Sequence, residues 1–117
     1  MGVQKLTEQE ISAELAKLKG WSIQQGKLHR TFECKDFVHA FGFMTSVALA
    51  AEAMGHHPDW SNSWNKVVVD LSTHSVGGLS KFDFELADPA HLDSLISALK
   101  RVDSVYDAYR LLPGQGR

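Results

Sequence analysis

DFVHAFGFMTSVALAAEAMGHHPDW, running from Asp36 to Trp60, is the stretch whose reading decides the fold. Asp36 offers a side-chain acceptor of the kind that caps a helix N-terminus. Phe37, Phe41, Met44, Val47, Ala48 and Ala51 then form a broad apolar stripe at helical spacing. Gly55 is the residue type that ends such a helix at C′. His56 and His57 must leave it, because Pro58 disfavours helical geometry at the residue before it. A long apolar helix therefore stops on two adjacent imidazoles.

Working outward, Lys66 to Thr73 alternates as a strand. Val67, Val69 and Leu71 point one way, Val68, Asp70 and Ser72 the other, and His74 follows on the second parity. Between Trp60 and this strand, Ser61 to Asn65 is polar apart from Trp64, and periodicity alone leaves its structure open. Upstream, Thr7 and Glu10 make a capping box, with Ile11, Leu15 and Leu18 on one helical face and Gly20 as the stop. Trp21–Gln25 and Leu28–Cys34 flank Gly26-Lys27 and read as a hairpin. Arg30 interrupts the apolar parity of Leu28, Phe32 and Cys34. Downstream, Gly77-Gly78 breaks the chain and Ser80-x-x-Asp83 caps a short helical segment. Asp88-Pro89 reads as N-cap and N1 of a last helix lined by Leu92, Leu95, Ile96, Leu99, Val102 and Tyr106 to about Leu111. The order α-β-β-α-β-α predicts an α+β fold with helices over one sheet face. Residues 1–117 form one domain in this reading, with 111–117 as a flexible tail.

The bulk numbers narrow the function. A chain of 117 residues with 44% hydrophobic and 22% charged residues is ordinary for a single globular domain. A net charge of −2 gives no basic excess to hold a phosphate backbone, so no nucleic-acid partner is expected. A single cysteine, Cys34, excludes an internal disulfide and a multi-cysteine zinc site. Met1–Glu10 lacks an apolar signal core. The apolar run around Phe41–Ala53 is interrupted and short for a bilayer span. A soluble, cytoplasmic protein is the expectation.

The chemistry concentrates on His56, His57 and His74. Imidazoles at a helix end and a strand end, half exposed, titrate near ~6.5 and exchange protons at cellular pH. Glu52 sits one turn before His56 on the same face and can fix an imidazole tautomer. A metal reading competes: three histidines with Glu52 or Asp59 can hold zinc with an open position. Against it, the sequence lacks H-E-x-x-H, and adjacent histidines fit one tetrahedral centre awkwardly. His29 points outward on a strand, His39 and His91 lie in polar helix turns, Trp21, Trp60 and Trp64 read as core or interface, and Cys34 as a small buried hydrophobe.

Two runs carry a family resemblance. The first spans Lys35-Asp36-Phe37, Ala40-Phe41-Gly42-Phe43-Met44-Thr45, Val47-Ala48-Leu49, Ala51-Glu52 and His56-His57-Pro58-Asp59-Trp60. The second spans Asn65-Lys66-Val67, Leu71-Ser72-Thr73-His74 and Gly78-Leu79-Ser80 with Asp83 and Leu86-Ala87. Over about Leu6 to Leu99 the chain resembles the pterin-4a-carbinolamine dehydratases. The resemblance implies a four-stranded antiparallel sheet with three helices packed on one face, and therefore a strand near Ser61–Lys66. It implies dehydration of 4a-hydroxytetrahydropterins to the quinonoid dihydropterin, recycling the cofactor of aromatic amino-acid hydroxylases. The family's catalytic histidines fall on His56, His57 and His74, and its substrate-binding residues on Glu52, Asp83 and Trp21. Read as chemistry, Asp83 can orient His74. No metal and no cofactor are implied. Expected partners are the pterin substrate, further copies in a homodimer or homotetramer, and a hydroxylase in the same pathway. The alternative is a non-catalytic binding or assembly module, a transcriptional coactivator or chaperone-like protein using the second helix. Gly55 stands where the family usually has a polar residue, and Ser61 and Ser63 replace bulkier ones.

Overall fold

The computed structural model describes residues 2–88. Helix α1 spans Glu8–Leu15, strands β1 and β2 Ser22–Gln24 and Lys27–Glu33, helix α2 Phe37–Met54, strands β3 and β4 Asp59–Ser63 and Lys66–Leu71, and helix α3 Lys81–Ala87. The strands form one antiparallel sheet in the order β1-β2-β4-β3. The fold is the α+β arrangement expected: a four-stranded antiparallel sheet with three helices among the described residues. The helix read over Leu92–Leu111 and the tail at 111–117 lie outside those residues, as does the N1 role of Pro89.

The register explains the core. Leu28 faces Leu71, Phe32 faces Val67 and Trp60 faces Val69, so one sheet face collects the apolar parity of three strands. Leu28, Val67, Val69 and Leu71 are buried there with Ala40, Phe43, Val47 and Ala51 of α2 and Phe84, Leu86 and Ala87 of α3. The buried α2 positions recur at three- and four-residue steps, the seam a helix lays on a sheet. Small Ala40 and Ala51 let the backbone approach at both ends while Phe43 and Val47 fill the middle. This rotates the seam relative to the stripe expected from sequence. Phe37 and Phe41 are 49% and 57% exposed, because an α2 that is apolar all round offers several faces and packing selects one. The same composition gives α2 the length and mean hydropathy, 18 residues at 1.4, of a membrane-spanning segment.

Other boundaries shift for local reasons. The hairpin turn is Gln25-Gly26 rather than Gly26-Lys27: both residues have positive φ, 52° and 76°, as a two-residue turn matched to strand twist requires. Lys27 thereby joins β2. Helix α1 starts at the Thr7–Glu10 capping box but stops at Leu15, short of Gly20. β3 begins at Asp59, because Pro58 releases the chain already extended. Its polar composition fits an edge strand with one open side. Arg30 sits on the core parity of β2 without an acidic partner among the described residues. Its guanidinium lies 4.3 Å over the Phe32 ring, and its Nη1 donates to the Lys19 carbonyl at 3.3 Å. Partial burial holds its pKa below the usual arginine value.

Candidate functional site

The end of α2 is built to place two histidines apart. Gly55 takes the left-handed conformation, φ 65° and ψ 28°. The Gly55 N–H donates to the Glu52 carbonyl at 3.1 Å and the His56 N–H to the Ala51 carbonyl at 3.0 Å. This paired pattern is a Schellman cap, which satisfies the last carbonyls and fixes the exit direction of the chain. His56 is turned inward and is 9% exposed, against the half-exposed position expected for both histidines. His57 remains outside.

His56 meets α3. Its Nε2 lies 2.6 Å from Oδ1 of Asp83, whose side chain is fully buried. The other carboxylate oxygen accepts from the Ser80 backbone N–H at 2.9 Å and from the Thr73 hydroxyl at 2.8 Å. Because Thr73 donates to Asp83, the Ser80 hydroxyl, 2.6 Å away, donates to Thr73 and accepts from the Phe82 N–H. The hydroxyl and backbone donors of this cluster all run toward Oδ2, and the Asp83 carboxyl sits at the end of the chain. A buried charge needs that density of donors. Facing a carboxylate oxygen, Nε2 is assigned as the donor in His56, which leaves Nδ1 to exchange a proton.

This corrects two expectations. Asp83 orients His56, not His74: as the third residue of α3 it points back at the helix N-terminus and the α2 exit, on the core side of the β4 end. Glu52 pairs with His57, not His56. Its Oε1 is 2.9 Å from His57 Nε2, because the cap sends the second imidazole along the helix surface. Both side chains of this pair are largely exposed. His74 opens a single 3-10 turn, His74–Val76, after β4. Its Nε2 stands 3.7 Å from Asp59 Oδ2 at the start of β3. Each histidine thus has its own carboxylate, and only His56's is buried.

His56, His57 and His74 line one cavity of about 470 Å³ with Met54, Asp59, Thr73 and Phe82, and with Val3 of the N-terminal segment. Trp21 is elsewhere. It packs edge-on against Phe32 in the core, with ring centres 5.8 Å apart, and its buried Nε1 has no hydrogen-bond partner. Among the described residues no three His, Cys, Asp or Glu converge closely enough to share a metal ion. The Cys34 thiol is pushed up by burial and by Asp36, so it stays protonated at neutral pH and is a poor nucleophile. Asp36 itself is held below the ordinary carboxylate range by the His39 backbone N–H and side chain, the mark of its N-cap role.

Sequence reasoning missed Thr73, Ser80 as a hydrogen-bond relay, and Asp59 as an imidazole partner. A signal existed for Thr73. It continues the buried parity of Val67, Val69 and Leu71, where a hydroxyl needs an internal partner.

Comparisons with known proteins point to one family. The family described as pterin 4 alpha carbinolamine dehydratase matches residues 4–92. A protein of Solibacter usitatus (strain Ellin6076) named putative pterin-4-alpha-carbinolamine dehydratase is 52% identical over 91 residues, covering 78% of this chain and 94% of its own length. The Drosophila melanogaster pterin-4-alpha-carbinolamine dehydratase is 47% identical over 102 residues, 84% of this chain and 52% of the fly protein. The crystal structure of a transcriptional coactivator/pterin dehydratase from Brucella melitensis superposes with a TM-score of 0.70 at 39% identity, covering 81% of this chain and 98% of that one.

Proposed function

The chain belongs to the pterin-4-alpha-carbinolamine dehydratase family, a family of hydro-lyases, and from that premise we propose how its histidines perform the dehydration. The substrate carries a hydroxyl on C4a beside N5. Loss of water needs a proton delivered to that hydroxyl and a proton removed from N5. The N5 lone pair assists as the C4a–O bond breaks, and the products are the quinonoid dihydropterin and water. The observation that carries the reading is the 2.6 Å His56–Asp83 pair, behind a cavity that the other two histidines share. Asp83 holds one imidazole nitrogen, so His56 works through the other. His74 faces the same cavity from the far strand end. The two can serve as acids for substrate epimers whose hydroxyls lie on opposite ring faces. His57 positions the pterin and shares proton transfer, with Glu52 beside it.

The reaction recycles the pterin cofactor of aromatic amino-acid hydroxylases in the cytoplasm, and the working unit is a homodimer or homotetramer. A second reading has an observation of its own: Phe37, Phe41 and Leu49 of α2 are about half exposed or more, a surface suited to protein association. The name of the Brucella relative, which includes coactivator, points the same way.

The test is turnover of freshly generated carbinolamine. His56→Ala is expected to lower kcat by about 10²–10⁴-fold, the usual contribution of general acid–base catalysis. Wild-type turnover in a His57→Ala/His74→Ala double variant would overturn the proton-transfer roles given to those two histidines, and no turnover by the parent chain would overturn the catalytic reading and leave the association surface as the function.

A further inference from the structure

The sheet face turned away from the helices carries two acids directly opposite each other, Asp59 on β3 and Asp70 on β4. Like charges in that register destabilise a sheet. Asp70 is offset by His29 of β2, whose Nδ1 is 2.8 Å from its Oδ1. Asp59 lies at the cavity rim, and its Oδ2 is approached by Lys27 Nζ at 3.3 Å and by His74 Nε2 at 3.7 Å. A carboxylate that only paired a surface lysine has no reason to border the cavity or to turn the same oxygen to an imidazole.

We propose that Asp59 is the positioning residue of His74, the third carboxylate of a site in which every histidine is held by its own acid. This deepens the catalytic reading above and rests on it. His74 is 79% exposed and enters from a short 3-10 turn, and no other ion pair or hydrogen bond of its side chain among the described residues selects its rotamer. At 3.7 Å the pair is an ion-pair approach rather than a hydrogen bond, and it tightens when a substrate bound in the cavity draws the imidazole inward. The carboxylate orients the ring so that its far nitrogen points into the cavity, where a leaving hydroxyl would receive its proton. Lys27 competes for the same oxygen, which keeps the pair loose. The other titratable groups by this corner are Asp70, opposite Asp59, with its partner His29, and His57 on the cavity wall.

The experiment compares Asp59→Asn, Asp59→Glu, Asp70→Asn and His74→Ala in the full chain on freshly generated carbinolamine. Asp59→Asn is expected to lower kcat by about 5-fold with KM nearly unchanged, the scale of one exposed charge pair. Asp59→Glu should restore most of the rate. Asp70→Asn removes the same charge one strand away and should leave kcat in place. Equal losses of kcat from Asp59→Asn and Asp70→Asn would reduce the effect to a general field and overturn the proposal. Wild-type kcat for Asp59→Asn beside an impaired His74→Ala would overturn it too, with the catalytic reading intact. Full activity in His74→Ala would instead sink the role of His74, and this proposal with it.

Discussion

The site has a sealed half and an open half. In the first, His56 and Asp83 meet at 2.6 Å with side chains 10% and 0% exposed, and Thr73 and Ser80 complete the carboxylate's bonds. In the second, His57–Glu52 and His74–Asp59 are pairs with more than half of each side chain in water. The chemistry of the pairs is the same; their surroundings are not. Low dielectric makes the sealed pair strong and makes any unmatched member costly. Water reduces the open pairs to small, adjustable terms. The sealed half is therefore part of the architecture, since it ties the α2 exit to the end of β4 and the start of α3. The open half is left free to follow a substrate.

The largest expected effect is on the sealed half. Asp83→Ala leaves His56, the Thr73 hydroxyl and the Ser80 N–H without their acceptor. Stability should fall by about 3–5 kcal/mol in denaturant titration, as for one member removed from a buried pair. Turnover should fall with it. Asp83→Asn fills the space but brings an NH₂ to a position where only acceptance is satisfied, so it should recover part of the stability and little of the rate. A loss below about 1 kcal/mol for Asp83→Ala, in the range of exposed pairs, would erase the distinction between the halves.

Gly55 is where the halves separate, and it carries the middle prediction. A Cβ placed there meets nothing within 4 Å, so the penalty of substitution is conformational rather than steric. Gly55→Ala should cost about 1–2 kcal/mol for a left-handed φ of 65°. Gly55→Asn should cost less, because asparagine tolerates that region. If the cap sets the direction of the two histidines, Gly55→Ala lowers kcat more than the lost stability explains. Thermal melts and kcat on the same samples separate the two effects.

Much of this was legible from residue order. The capping boxes at Thr7 and Ser80, the Asp36 cap, the Gly55 stop and the alternation of Val67, Val69 and Leu71 are local rules, and the folded chain obeys them. The three histidines, Glu52 and Asp83 could also be singled out. What could not be read was pairing. Whether Asp83 reaches His56 or His74 depends on how α3 is set against the α2 exit, and no periodicity encodes that. Glu52 misled for a different reason. The i,i+4 rule assigns it to His56, but His56 lies beyond the helix, where the left-handed cap breaks the rule. Trp21 was placed by resemblance, and in this fold it packs on Phe32 away from the histidine cavity. The seam of α2 was ambiguous because Phe37 and Phe41 are as apolar as the residues that won the core.

The smallest effect belongs to Glu52. Its side chain is 81% exposed and His57's is 65%, so the 2.9 Å pair competes with water at both ends. Glu52→Gln keeps a hydrogen-bonding oxygen and removes the charge. It should change stability by less than about 1 kcal/mol. If Glu52 only steadies His57, kcat/KM should fall by no more than about 5-fold, with the loss shrinking as salt screens the charge in the parent. If Glu52 binds the pterin directly, KM should rise while kcat holds, and salt should matter little. A loss approaching that of Asp83→Ala would mean that the pair is shielded from water in the working protein. The second half of the site would then be sealed as well, by substrate or by another copy of the chain, and a measurement of activity against protein concentration would tell those two apart.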